Sequence, residues 1–314
     1  MAAIRHAICS QFAPYLRDRV SLGVCNNADS GIPSAKKGTL VNQWPHLVYW
    51  HAIIWHMDTR PSMKINKLLQ AWPRGTVALH PWLQSHGISR ELATQYRRRA
   101  WIDSVGQGAF IRRGDKVEWP GAVYAVQKLS GKPIHPGGRT ALELHGLAHF
   151  VRLSNRAPVY LYGSPGIRLP TWFQGHDWRH PIKYSATGLF TRDQSLTTQS
   201  FGEFSLEISS PERAILEYLN GFPDDASFEE AREFVDSLAT ARPEVIQHLL
   251  ETCTSVKVKR MFLYLADQAK HPWRAKLKDK RIKLGSGKRS LVQDGKLDSK
   301  YLITVPAEPS TDGA

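Results

Sequence analysis

The run SHGISRELATQYRRRAWIDSVGQGAFIRR, residues 85–113, constrains the fold more than any other part of the chain, because it spells a tight turn, a basic amphipathic helix and a basic hairpin in succession. Gly87 gives the turn the backbone freedom it needs, and Ser89 offers a hydroxyl that can accept a hydrogen bond from the opening amides of a helix. The spacing predicts a helix over residues 90–100. Ile88, Leu92, Ala93, Tyr96 and Ala100 then face inward, while Arg90, Thr94, Gln95, Arg97 and Arg98 face out. Two strand-like runs, 101–105 and 109–112, flank Gly106, Gln107 and Gly108 at hairpin spacing and lead to Arg112, Arg113 and Lys116. Helices expected over residues 64–71 and about 78–86 complete a winged helix-turn-helix.

Such a unit grips DNA through side chains that can be named. Arginine fits guanine O6 and N7 and glutamine fits adenine N6 and N7, so Arg90, Thr94, Gln95, Arg97 and Arg98 are candidate groove contacts. Arg112, Arg113 and Lys116 are candidates for phosphate or the minor groove. The plainer alternative for all of them is a solvated basic face, with charge guarding an edge strand against pairing.

The charge distribution favours a polyanionic partner. The 314 residues carry a net charge of +14, yet it is concentrated: residues 64–116 hold +7 and residues 256–300 hold +10. Between these blocks, residues 203–236 hold ten acidic side chains against Arg213 and Arg232. Segregation of that kind suggests separate partners for separate surfaces. Three cysteines, Cys9, Cys25 and Cys253, have no metal-ligand spacing and form no even-numbered framework. The N-terminus lacks a secretory pattern, and no apolar run approaches the roughly 20 residues of a membrane helix. A cytoplasmic protein with no membrane partner is the expectation.

The rest of the chain divides by composition. Residues 1–62 are turn-rich and aperiodic, and read as a poorly structured extension. Met57 and Met63 stand just before the first convincing helix, so translation starting at either is a further expectation. Residues 63–130 form the winged domain, including a helix over 121–129 opened by Pro120. A Gly- and Pro-rich joint over 131–138 leads to a larger mixed α/β domain over 131–305, followed by a disordered tail over 306–314. In that domain Thr140 is expected to cap a helix over 141–150, and VYLYG, IKYSA and FSLEI read as strands. Ser210 and Pro211 open a helix ending at Gly221, with Ala214, Ile215, Tyr218 and Leu219 inward and Glu212 and Glu217 outward. Glu212 and Glu217, with Asp224, Asp225, Glu229 and Glu230, are expected on the surface. Further helices are expected over 228–238, 243–253 and 257–268. The fold class is therefore α+β.

The segments GISRELATQYRRRAWIDSVGQGAFIRRGD, GRTALELHGLAHF, VYLYG and SPERAILEYL, in this order and spacing, resemble the AbiEi family of antitoxins from bacterial type IV toxin-antitoxin systems. The likeness runs from about residue 63 to 305. It implies an N-terminal winged helix that binds inverted repeats in its own promoter and represses transcription. It also implies a C-terminal domain that counters a nucleotidyltransferase-like toxin without a stable complex. If translation starts at Met57 or Met63, those repeats are expected in the DNA now read as residues 1–56.

Other motifs carry less chemistry. Residues 285–288, GSGK, miss a phosphate-binding loop because Ile282 stands where its first glycine belongs and Arg289 replaces the hydroxyl. His145 with His149, and His176 with His180, have i, i+4 spacing, but neither pair has the intervening glutamate of HExxH nor a nearby cysteine. After Gly163 and Ser164 only Asp177 follows, without the second carboxylate that a nucleotidyltransferase needs for magnesium. Asp279, Asp294 and Asp298 as nuclease carboxylates fall in a loop-like basic region. The basic block over 273–290 reads equally as a binding surface or a solvated face. No catalytic residue, cofactor or metal is expected. The rival functions are a stand-alone winged-helix regulator with a ligand-sensing C-terminal domain, and a metal-dependent nuclease.

Overall fold

The computed structural model describes residues 61–148, 156–190, 195–292 and 295–306. The expectations for residues 1–60, His149, Asp294 and the tail beyond 306 lie outside the described residues. The chain is α+β, as its patterning indicates.

The first elements are α1 (Pro61–Ala71), β1 (Ala78–Leu79), α2 (His80–Ser85), α3 (Arg90–Arg98) and the hairpin of β2 (Ile102–Gly106) and β3 (Ala109–Arg112). Ile65 and Leu68 of α1, with Trp72 just beyond it, bury one helical stripe against Leu83, Ile88, Ala93, Tyr96, Ile102 and Phe110. The helix expected from residue 78 begins two residues later. Pro81 sits in its first turn and fixes the entry, while Ala78 and Leu79 are drawn into a strand opposite Phe110 and Ala109. The wing sheet therefore has three strands, in the order β1-β3-β2.

Helix α3 also stops short of its expected end. Trp101 N donates to Tyr96 O at 2.9 Å and Ala100 N to Arg97 O at 3.0 Å, while Ala100 adopts φ 57°. This is a Schellman termination with alanine at the left-handed position that glycine usually fills. Ala100→Gly is expected to raise stability by about 1 kcal/mol, because it relieves the Cβ penalty. Urea denaturation checks this, and an unchanged or lower midpoint contradicts it.

Next, α4 (Trp119–Tyr124) runs into a π-helical turn, Ala125–Leu129. The residues read as a joint instead contain strand β4 (Ile134–Pro136), with His135 and Pro136 buried. It pairs antiparallel with β5 (Val159–Gly163), which pairs parallel with β6 (Ile182–Ala186). Between β4 and β5 lies α5 (Gly138–Leu144), which starts before Thr140. Thr140 is thus no cap, and its Oγ1 accepts Tyr160 N at 2.8 Å. Between β5 and β6 lies α6 (Thr171–Gln174).

A hairpin of β7 (Leu196–Phe201) and β8 (Phe204–Ser209) follows, of which only β8 is legible in the sequence. The helices α7 (Pro211–Asn220), α8 (Phe228–Asp236), α9 (Pro243–Thr252) and α10 (Val256–Ala269) match the expected ones closely. The chain closes on β9 (Arg289–Ser290), β10 (Lys296–Asp298) and β11 (Ile303–Val305). Asp298 therefore ends a strand, and its Oδ1 accepts Tyr301 N at 2.7 Å.

Two further apolar cores hold these parts. One fills the space among α7–α10. The other is continuous from Leu79, Val105 and Trp119 to Leu161, Trp172 and Ile208, so the wing hairpin packs on the strands that follow it. A Cβ on Gly106 would lie 2.6 Å from Trp172 Cβ, and glycine is what lets β2 approach α6.

The largest departure from expectation is on α7. Glu212 and Glu217 are buried, not outward, because the helix is covered on every side from Glu212 to Leu219. Arg242 grips Glu212 with two bonds, at 2.9 and 3.0 Å. Burial alone would raise this carboxyl, but the Arg242 guanidinium holds it down at about 2. Glu230 is half-buried between Arg139 and the Tyr218 hydroxyl, while Asp225 pairs with Lys183. Glu212, Glu217 and Glu230 thus serve internal contacts, whereas Asp224, Asp225 and Glu229 stand exposed as expected.

Candidate nucleic-acid interface

Helix α3 is set by the devices its sequence suggested. Gly87 adopts φ 74° in the turn, and Ser89 Oγ accepts Leu92 N at 3.2 Å. Ala93 and Tyr96 are buried and Leu92 half-buried, which locks the roll of the helix. Arg90, Thr94, Gln95, Arg97 and Arg98 all stand exposed, as do Arg113 and Lys116.

They do not form one cluster. Arg90, Thr94 and Arg97 line a groove of ≈ 620 Å³ whose far wall is the hairpin turn, Gln107 and Gly108, with Trp172 behind. Thr94, Arg97 and Arg98 line a second groove of ≈ 410 Å³ against Asp103 and Ser104 of β2. Thr94 and Arg97 are therefore the ridge between two channels. Gln95 lines neither channel. Arg90 Nε donates to His80 Nε2 at 3.2 Å, and Thr94 Oγ1 donates to Arg90 O at 2.9 Å. Neither Arg97 nor Arg98 has a carboxylate partner among the described residues. A pair of unneutralised guanidiniums on a rigid helix is what a phosphate or guanine edge requires.

Arg112 is a correction. Its guanidinium turns inward, donates to Leu69 O and lies 5.9 Å over the Trp72 ring. Its Nε is buried without a partner among the described residues. Burial pushes its pKa below the ordinary arginine value, opposed by Asp115. The alternation of β3 sends Phe110 and Arg112 to the side where α1 packs, so Arg112 fastens the wing to that helix. Arg112→Met is expected to lower stability by about 1–3 kcal/mol while leaving the salt dependence of DNA binding unchanged. A reduced salt slope in a folded variant would return Arg112 to the DNA face.

Sequence reasoning missed His80, Gln107, Ser104 and Trp172. The first three are polar residues beside the basic helix and were legible in principle. Trp172 lies far along the chain and carried no signal.

The histidines once paired by spacing serve local structure. His145 Nε2 bonds to Ser209 O at 2.8 Å, and His180 Nδ1 to Ala157 O at 2.9 Å. Among the described residues no group of three or more His, Cys, Asp or Glu side chains is placed to hold a metal ion. No helix among them is long and apolar enough to cross a membrane.

A family model described as the N-terminal domain of the AbiEi antitoxin transcriptional regulator matches residues 61–153. A second, described as a transcriptional regulator, AbiEi antitoxin, type IV TA system, matches residues 156–306. Among solved structures, the RV2827C protein from Mycobacterium tuberculosis is similar in fold, with TM-score 0.52 and 14% identity over 76% of this chain and 88% of that one. No curated protein matches at the level of sequence. With family models covering both halves of the described chain, the protein belongs to the AbiEi antitoxin family, the transcriptional regulators of type IV toxin-antitoxin systems.

Proposed function

We propose that this chain binds double-stranded DNA at inverted repeats in its own promoter, represses transcription there, and counters a nucleotidyltransferase-like toxin. The observation that supports DNA binding best is the ridge of Arg97 and Thr94 between two solvent channels, flanked by Arg98 and Arg90. Residues 63–130 carry the DNA contacts, and residues 131–305 the antitoxic role. Arg113 and Lys116, exposed past the wing, suit phosphates. Gln95 sits to one side of the ridge, where it suits a flanking contact rather than the centre of the groove.

A second α3 must enter the groove for paired half-sites to be read, and their centres then lie about one helical turn or a multiple of it apart. DNase footprinting of the upstream region, including the DNA that encodes residues 1–56, is expected to show two such protected half-sites. Co-expression with a neighbouring nucleotidyltransferase gene is expected to restore growth. Absence of any protected site sinks the autorepressor reading, and continued growth arrest sinks the antitoxic one.

A further inference from the structure

A second cavity, remote from α3, has a built lining that DNA binding does not use. It has a volume of ≈ 200 Å³ and opens beside the π-helical turn, between β4, β5 and β8. Gln127 of that turn is fixed by three bonds: its Nε2 donates to Ile134 O and Glu207 O, each at 2.8 Å, and its Oε1 accepts Glu207 N at 3.1 Å. The cavity is therefore preformed, and π turns of this kind recur at functional sites.

Its position follows a rule for sheets with parallel strands, in which ligands bind outside the carboxyl ends. Ser164 directly follows β5 and Thr187 directly follows β6, with Thr187 N donating to Gly163 O at 2.9 Å. Both residues line the cavity.

Its chemistry is cationic. Lys128, Lys132 and Arg213 line it; Glu207 lies 3.7 Å from Lys128 and the Glu217 carboxylate beneath neutralises Arg213, which leaves a net positive charge centred on Lys132. The Lys132 ammonium donates to Arg168 O at 2.9 Å, a carbonyl that holds it in place without cancelling its charge. The floor is buried and polar: Arg213 Nε and His135 Nε2 both bond Glu217 Oε1, at 2.7 and 3.1 Å. Ile134, Phe190 and Leu196 add an apolar wall.

We propose that this cavity binds a small molecule carrying an oxyanion, a phosphate ester or carboxylate on a compact apolar or sugar body. Lys132 and Lys128 supply charge, Ser164 and Thr187 supply hydroxyls, and the volume is below the roughly 300 Å³ at which drug-sized pockets begin. A macromolecule is excluded by size. The helix that carries Gln127 and Lys128 also holds the wing sheet, since Val77 N donates to Gly121 O at 3.2 Å and a Cβ on Gly121 would lie 1.8 Å from Gly75 O.

Isothermal titration of the full chain with inorganic phosphate, nucleoside 5′-monophosphates and succinate, in separate arms, tests the site. At least one probe is expected to bind with one-to-one stoichiometry. Lys128→Glu and Ser164→Ala, at partly exposed positions that spare the core, are expected to weaken it about tenfold or more. Arg97→Ala with Arg98→Ala is expected to leave it unchanged. Phosphate-only or succinate-only binding identifies which oxyanion the site takes. No binding by any probe overturns the proposal. So does binding that is lost in the Arg97 and Arg98 variant but kept in the Lys128 and Ser164 variants, which would place the anion on the DNA face. Because the readout is ligand heat, it succeeds or fails independently of promoter binding.

Discussion

Replacing Arg97 and Arg98 together with alanine is expected to abolish specific promoter binding at physiological salt while leaving the fold intact. Both side chains are exposed and neither is tied to a carboxylate among the described residues, so their loss leaves no buried group unsatisfied. A base-reading arginine contributes about 1–3 kcal/mol of discrimination, so two of them make a difference of roughly 2–6 kcal/mol. If one instead holds phosphate, its removal weakens every sequence alike and lowers the salt slope by about one. Anisotropy titrations of operator and scrambled duplexes over a range of salt separate the two roles for each arginine. Gln95→Ala, off the ridge, is expected to have a smaller effect. Unchanged operator affinity in the double variant, with unchanged circular dichroism, would remove α3 from the interface.

Glu217→Ala is expected to be the most destabilising of the substitutions considered, at about 3–5 kcal/mol. Its carboxylate is 1% exposed and accepts from Arg213 Nε at 2.7 Å, His135 Nε2 at 3.1 Å, Ser209 Oγ at 2.7 Å and Gly138 N at 3.0 Å. Removing it leaves a buried guanidinium without its counter-charge and three donors without an acceptor. A Cβ on Gly137 would lie 2.2 Å from Glu217 Oε2, so the neighbouring backbone is shaped around this group.

The same carboxylate sets an acid response. Burial on its own would raise its pKa, but the bonds and charges of His135, Arg213 and Ser209 hold it well below the ordinary 4.5. Glu212 is held down likewise by Arg242. The folded chain therefore binds fewer protons than the unfolded one in this range. The stabilisation is complete above about 4.5 and is lost progressively as the pH falls toward the folded-state values. Denaturation midpoints measured from pH 6 to pH 3 are expected to fall for the wild type, and less steeply for Glu217→Gln. A parallel decline would assign the acid loss to other groups.

Much of this was legible from order and period. The turn, cap, basic helix and hairpin of residues 85–113 follow from local rules, since Gly87, Ser89 and the hydrophobic stripe act within a few residues of themselves. The spans of α7–α10 likewise follow from the period, and in the structure Ser210, Ser227 and Ser255 cap three of them while Pro243 opens the other.

What local rules could not give was where polar side chains end up. Arg112 and Arg113 are neighbours of equal charge, but strand alternation and the position of α1 turn the first inward and leave the second in solvent. Glu217 sits at a position that helical periodicity marks as outer, and only the packing of β4, β8 and α5 around α7 makes it the centre of a buried ion cluster. Residues 131–138 have the composition of a joint, yet residues 134–136 become a strand because β5 offers them an edge to pair with. The sequence by itself determined the winged helix and the identity of its basic face, because those depend on contacts close along the chain. The tertiary structure alone decided which charges face solvent and which are held in the interior. It also closed the cavity beside the π turn, because that closure depends on pairing between residues far apart along the chain, such as Gln127 and Glu207, which are 80 positions apart.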